Sequence, residues 1–255
     1  MAGAVTVTVV GPRGRVGAAL AEAAARTPGV KAVAGVRRGQ AVPGAPGSGP
    51  VLVATHAGDL GEVIRQTPPT RRRDLVFLQN GAVAPVLAEA GLRDNTQALL
   101  YLSAGASGDD GPLVDGGQTV VRAGIWAEAM RRILGEAGVT AGVLDEQPYA
   151  ERSLEKLLWA SIFWLGSAAE GGAPVGALPW NAEGAPRRSL EALVAELILV
   201  GWKPLGLLRQ PEVGPVVARL LAYTRSIDAA VPSVDMAVRE FEYVLASANL
   251  KLPAA

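Results

Sequence analysis

A short alternating strand that runs straight into three evenly spaced glycines and then an alanine-rich helix constrains this chain more than any other feature. Val5-Thr-Val-Thr-Val-Val10 is built of β-branched residues, Gly11-Pro-Arg-Gly14-Arg-Val-Gly17 follows, and Ala18–Arg26 reads as a helix. Branched side chains favour extended backbone and alanine favours helix, so the pattern predicts strand, tight turn, helix. That order opens an α/β unit whose helix crosses back over a parallel sheet. Glycines in such a turn let the chain reverse sharply, bare its N–H groups and seat the helix against the strand. The helix N-terminus adds partial positive charge, and the whole forms a place for the phosphates of a dinucleotide. The spacing is G-x-x-G-x-x-G rather than the commoner G-x-G-x-x-G, so the flanking strand and helix carry the reading, not the glycines alone. Gly11, Arg13, Gly14, Val16 and Gly17 are its candidate cofactor-binding residues.

The next strand, Val30–Val36, ends in Arg37-Arg38. A dinucleotide without a 2′-phosphate is usually held near this point by an acidic residue on the ribose. Two guanidinium groups in that place suit a 2′-phosphate instead, which makes NADP(H) the expected cofactor. The alternative is a solvated pair of arginines at a strand end. Two further strand ends supply candidates for the same ligand: Thr55 and His56 after Val51–Thr55, and Gln79 and Asn80 after Asp74–Gln79.

Strands and helices alternate through about residue 145, with a helix over Asp59–Gln66, one over Ala84–Ala90, a strand over Gln97–Ser103, and strand, helix (Ile125–Ala137) and strand within Gln118–Leu144. Short apolar strands alternating with helices predict a parallel sheet covered on both faces. From Pro148 the pattern changes to helices alone: Leu154–Ala169, Arg187–Leu205, Val213–Ile227 and Pro232–Ala248. The expected architecture is α/β, a Rossmann-type dinucleotide-binding domain over residues 1–147 followed by an all-helical substrate and dimerisation domain over 148–255.

Composition removes several kinds of chemistry. The chain of 255 residues carries 24 basic and 24 acidic side chains, no cysteine and one histidine. Disulfides, thiol nucleophiles and thiolate metal sites are excluded, no metal site is expected, and no basic stripe marks a nucleic-acid surface. The Arg71-Arg72-Arg73 run reads as a solvated loop, and no segment reads as a membrane span. With a strand starting close to Met1, no targeting peptide is expected and the chain reads as soluble and cytoplasmic; the mature form of an organellar protein would read the same way.

Three segments, Gly11–Gly17, Leu78-Gln79-Asn80-Gly81 and Glu151-Arg-Ser-Leu-Glu-Lys-Leu-Leu-Trp159, together resemble the ketopantoate reductase (2-dehydropantoate 2-reductase) family. That family's members are NADPH-dependent 2-oxoacid reductases with a Rossmann domain and a helical domain. The resemblance implies that Lys156 is the catalytic lysine and that Asn80 lies beside nicotinamide and substrate. A lysine suits carbonyl reduction because it stabilises the developing alkoxide and supplies its proton. The alternative for Lys156 is a surface lysine paired with Glu151 or Glu155. Lysine is scarce, at positions 31, 156, 203 and 251.

The chain also departs from the family. Substrate-binding asparagines one and two turns beyond the lysine are replaced by Ala160 and Trp164, and an acidic residue near the C-terminus by Ser233, with Asp235 kept in register. Ser233 and Asp235 remain substrate-binding candidates alongside Lys156, but ketopantoate itself is not the expected substrate. His56 is a second candidate for proton transfer, and Asp145, Glu146 and Glu151 either replace the missing acid or start a helix through its dipole. Trp159, Trp164, Trp180 and Trp202 are expected in the helical core or a subunit interface. Two functional readings follow: an NADP(H)-dependent oxidoreductase reducing a carbonyl, 2-oxoacid-like substrate other than ketopantoate, with the apolar Ala160 and Trp164 pointing to bulky or aromatic oxoacids before small polar ones and with a homodimer through the helical domain; or an inactive NADP(H)-binding regulatory or assembly protein.

Overall fold

The alternating residues of the first segment form β1 (Val5–Val10), and the glycine turn leads into α1 (Arg15–Arg26). The computed structural model describes residues 5–37, 39–81, 83–104 and 113–232. By contact density the chain divides into two units, Met1–Gln79 with Val86–Glu146 and Asn80–Pro85 with Gln147–Ala255.

The first unit holds a seven-stranded sheet of β1, β2 (Val30–Val36), β3 (Val51–Val53), β4 (Leu75–Phe77), β5 (Gln97–Leu99), β8 (Val120–Arg122) and β9 (Gly142–Leu144), in the order β2-β1-β3-β4-β5-β8-β9. Neighbouring strands are parallel except β5 and β8, which run antiparallel with Ala98 opposite Val121. The direction reverses because β5 returns through a hairpin, β6 (Leu102–Ala104) with β7 (Leu113–Asp115), instead of through a crossover helix. The single strand expected over Gln97–Ser103 is therefore two. Connecting helices are α2 (Leu60–Gln66), α3 (Ala84–Glu89) and α4 (Ala127–Glu136).

Val7 and Val9 of β1, Leu52, Val76, Ala98 and Val121 form the buried row that α1 and α4 cover with Leu20, Ala23, Met130, Ile133 and Leu134. Thr8, on the other face of β1, is buried as well. Strands covered on both faces explain the short, nearly continuous apolar runs. Arg71 corrects the expectation of a solvated loop. It is 1% exposed; its Nη1 donates to Asp74 Oδ2 (2.8 Å), Ser48 Oγ (2.9 Å) and the carbonyl of Ala45 (2.9 Å). Asp74 accepts in turn from Trp126 Nε1 at 3.1 Å. The pair sets the two buried charges against each other and ties the Gly/Pro-rich loop after β2 to the start of β4, while Nε and Nη2 of Arg71 are buried with no hydrogen-bond partner among the described residues.

The second unit is helical: α5 (Glu146–Trp159), a π-helical turn over Ala160–Trp164, α6 (Leu165–Ala169), α7 (Ala185–Gly201) and α8 (Val213–Ser226). The start of α5 two turns before Leu154 puts Glu146 in its first turn, where a carboxylate favours the helix dipole. Glu155 is buried against Arg219 of α8, at 2.9 Å from its Nε, and against Arg152 at 3.0 Å. Trp159 Nε1 donates to Thr224 Oγ1 at 2.8 Å, so two polar contacts one turn apart fasten α5 to α8. Trp159 also stacks on Phe163, with centroids 5.5 Å apart, and meets Tyr223 edge-on at 4.7 Å. Burial pushes the Tyr223 phenol well above its usual pKa and keeps it neutral. The helix expected over Pro232–Ala248 falls, after Pro232, outside the described residues. No helix among the described residues is long and apolar enough to cross a membrane.

Candidate functional site

In the first unit the candidate residues collect at the C-terminal ends of β1, β2, β3 and β4. Because β2 lies on one side of β1 and β3 on the other, chain progression reverses between β1 and β3. A crevice at that reversal is where an open parallel sheet receives a ligand. The turn after β1 is fixed by Gly11 N–H donating to the Val36 carbonyl (3.1 Å) and Gly14 N–H donating to the Gly11 carbonyl (3.2 Å).

The three glycines have different reasons to lack a side chain. Gly11 has φ +85°, and a Cβ there would lie 2.7 Å from the Ala54 carbonyl oxygen. A Cβ on Gly17 would lie 2.2 Å from the Gly11 carbonyl oxygen, so only glycine lets α1 sit this close to the turn. Gly14 has ordinary extended backbone, is exposed, and its Cβ would meet nothing nearer than 3.6 Å. Among the described residues no steric contact calls for glycine at the N-cap of α1, whereas a phosphate approaching the N–H groups of the first turn would.

Thr55 supplies a second mark of the same kind. Its Oγ1 is buried and has no hydrogen-bond partner among the described residues. Its methyl carbon would lie 3.2 Å from a Cβ on Gly11, which puts it beside the glycine turn. A buried hydroxyl without a partner costs about 1–3 kcal/mol, which a ligand oxygen or nitrogen at the switch point would offset. Gln79 is fully engaged with backbone: its amide donates to the carbonyls of Val53 (2.7 Å) and Thr55 (3.0 Å), and its Oε1 accepts from Leu78 N–H (3.1 Å). It locks the ends of β3 and β4 together. Arg13, Arg37 and His56 are exposed and Val16 is half-buried. Arg37 N–H donates to Gln40 Oε1 at 2.8 Å, which turns the chain after β2. Arg38, Ser233 and Asp235 lie outside the described residues.

In the second unit the central contact is Lys156 Nζ donating to Asn80 Oδ1 at 2.6 Å, across 76 positions of sequence. Both side chains are half-buried. The carboxylate of Glu155, one of the two partners a surface lysine would take, points to Arg219 and Arg152 instead. Asn80 and Gly81, with φ +91° at Gly81, directly follow the strand end that Gln79 locks. Lys156, Ala160 and Trp164, one turn apart in succession, are half-buried along one face of the helix, while Leu154, Leu158, Trp159, Ile162 and Phe163 are buried. A lysine ammonium and a carboxamide held together on such a face can polarise a carbonyl oxygen and stabilise negative charge on it.

Sequence reasoning missed the role of Glu155, which lies 64 positions from Arg219 and has no motif to announce it. It also missed the π-helical turn, because Ala160–Trp164 has no glycine or proline to mark a break in the helix.

No family model matches the sequence, and no curated protein is significantly similar to it. Solved structures are. A PanE/ApbA family ketopantoate reductase from Ralstonia eutropha JMP134 superposes with a TM-score of 0.61 at 17% identity, covering 96% of each chain. A dimeric ketopantoate reductase from Staphylococcus aureus gives 0.61 at 16% identity, over 94% of this chain and 85% of its own. D-mandelate dehydrogenase in complex with NADH gives 0.64 at 13% identity, over 96% and 91%. At these identities the likeness is one of fold: the chain has the two-part fold of the ketopantoate reductases.

Proposed function

We propose that this chain is a nicotinamide-dependent oxidoreductase of the ketopantoate reductase kind that reduces a 2-oxo acid other than ketopantoate, with NADP(H) as cofactor. The observation that carries the reading is the 2.6 Å contact between Lys156 and Asn80. A lysine that serves only solubility has no need of a half-buried amide from a residue 76 positions away. The fold neighbours support the reading, since those named above are two ketopantoate reductases and a D-mandelate dehydrogenase.

The residues of the first unit fit a dinucleotide. Gly14 and the N-terminus of α1 would hold its pyrophosphate, Thr55 Oγ1 would gain a partner, and Arg37 with Arg38 would pair with a 2′-phosphate. Once bound, the nicotinamide supplies the hydride. Lys156 holds the substrate's carbonyl oxygen by charge and hydrogen bond, and donates the proton that the alkoxide needs. Asn80 fixes the direction of the ammonium group, whose three N–H bonds can serve more than one acceptor.

The test is NADPH consumption with a panel of 2-oxo acids. Lys156→Ala should lower turnover of any accepted acid by about a hundredfold or more, while the affinity for NADPH by calorimetry changes less than about threefold. Tight NADPH binding with no carbonyl compound reduced would defeat the enzyme reading and leave a cofactor-binding regulatory protein. Activity that survives the lysine replacement would transfer the proton role to another group, His56 first.

A further inference from the structure

The helix that carries Lys156 does not continue as a regular α-helix. Five residues of π-helical backbone, Ala160–Trp164, interrupt it between α5 and α6. In an unbroken α-helix Trp164, eight residues after Lys156, would stand about 80° away from it around the axis. The extra residue taken up by the π turn brings Trp164 back to within about 20° of Lys156. Ala160 lies between them. The three are half-buried and fall within about 40° of one another around the axis, beside the core row to which Trp159 belongs.

Trp164 is also held in place. Its ring meets Trp159 edge-on, with centroids 6.4 Å apart, and Trp159 is fixed by its stack on Phe163 and its hydrogen bond to Thr224. A large ring braced in this way gives a firm apolar wall that loses little entropy when a ligand packs on it. Ala160, between the two in sequence, carries only a methyl group, the smallest apolar side chain the helix can place there. Polar and apolar functions thus follow one another along a single line: Asn80 and Lys156 at one end, the small side chain of Ala160, and an indole at the other.

From this line we infer that the acid accepted here carries a bulky apolar or aromatic group on the carbon next to its carbonyl, with Trp164 as the residue that selects it. The inference rests on the reading of Lys156 and Asn80 as the groups that receive the carbonyl. The oxo oxygen sits at Lys156, the side chain passes over Ala160, and its apolar end packs against Trp164. Small or charged side chains leave the indole uncovered and gain nothing from it. A regular helix would point the indole elsewhere, so the π turn is what makes the selection.

The experiment compares phenylpyruvate and 4-methyl-2-oxopentanoate with pyruvate and oxaloacetate, NADPH being the reductant, in the starting protein and in Trp164→Asn and Ala160→Leu. The ratio of kcat/KM for phenylpyruvate over pyruvate should be about thirtyfold or more, as burial of a phenyl group provides. Trp164→Asn should cut that ratio at least about tenfold through KM, and Ala160→Leu should cut it by placing a larger side chain on the line between Lys156 and Trp164. Thermal melts report whether each variant is folded, and if Trp164→Asn is not, Ala160→Leu decides. Equal use of pyruvate and phenylpyruvate, or a ratio that survives in the folded variants, overturns the inference. Calorimetry of phenyllactate against lactate, on protein saturated with NADP⁺, separates the two readings. A phenyllactate preference lost in the variants, in a protein that reduces no oxo acid, keeps the apolar site and removes the reductase; no preference removes the site whatever the activity.

Discussion

Gly14 and Gly17 stand three residues apart, and what each lacks serves a different purpose. Gly17→Ala forces a methyl group against the Gly11 carbonyl, 2.2 Å away, and should destabilise the fold by about 1–3 kcal/mol in chemical denaturation. Gly14→Val puts a branched residue into extended backbone with open space around it, and should cost at most about 1 kcal/mol as a poorer cap. Its effect should appear in the ligand instead, as a rise of at least about tenfold in the Kd for NADPH. A valine variant with normal NADPH affinity would move the phosphate site away from the turn. Arg37 and Arg38 are tested by replacing both with alanine. Each charge-assisted bond to a 2′-phosphate contributes about 1.5–3 kcal/mol, so NADPH affinity should fall more than about tenfold and NADH affinity should hold. Equal binding of the two cofactors by the starting protein would remove the preference. The glycines were legible in the sequence as a group, but their division of labour was not, because it depends on Ala54 and Gly11 carbonyls brought close only by folding.

Among the helices, α5 and α8 are joined by Glu155 with Arg219 and by Trp159 with Thr224. Glu155→Ala leaves Arg152 and Arg219 facing one another without the carboxylate, and should cost about 3 kcal/mol in urea denaturation. A loss under about 0.5 kcal/mol would mean that the half-exposed Arg219 is satisfied by water and that the ion group is not needed. Strand and helix identities in the first unit follow the periodicity closely, and β2 spans Val30–Val36 as expected. Boundaries were less legible. α1 begins at Arg15, a turn before Ala18, because Gly14 caps it, and polar Glu146–Ser153 precedes the apolar pattern from which the start of α5 was read. The hairpin of β6 and β7 interrupts what reads as one strand, since Leu99 to Ser103 has no glycine or proline to mark a break.

Taken as a whole molecule, the α/β architecture with a helical second part was legible from the change of pattern near Pro148. The assignment of Asn80–Pro85 to the helical unit was not, because six residues inside an α/β alternation carry no sign of belonging elsewhere. That short stretch bears on how the protein comes into being. A ribosome delivers Asn80 well before the helix that carries Lys156, so for the intervening 76 positions the amide waits for a partner not yet made. Neither half expressed alone holds the pair: a fragment ending at Glu146 has the amide without the ammonium, and one starting at Gln147 has the ammonium without the amide. Anyone exchanging helical parts between such proteins to alter their selectivity has to move two pieces of gene, the long one and the six codons lodged within the other half.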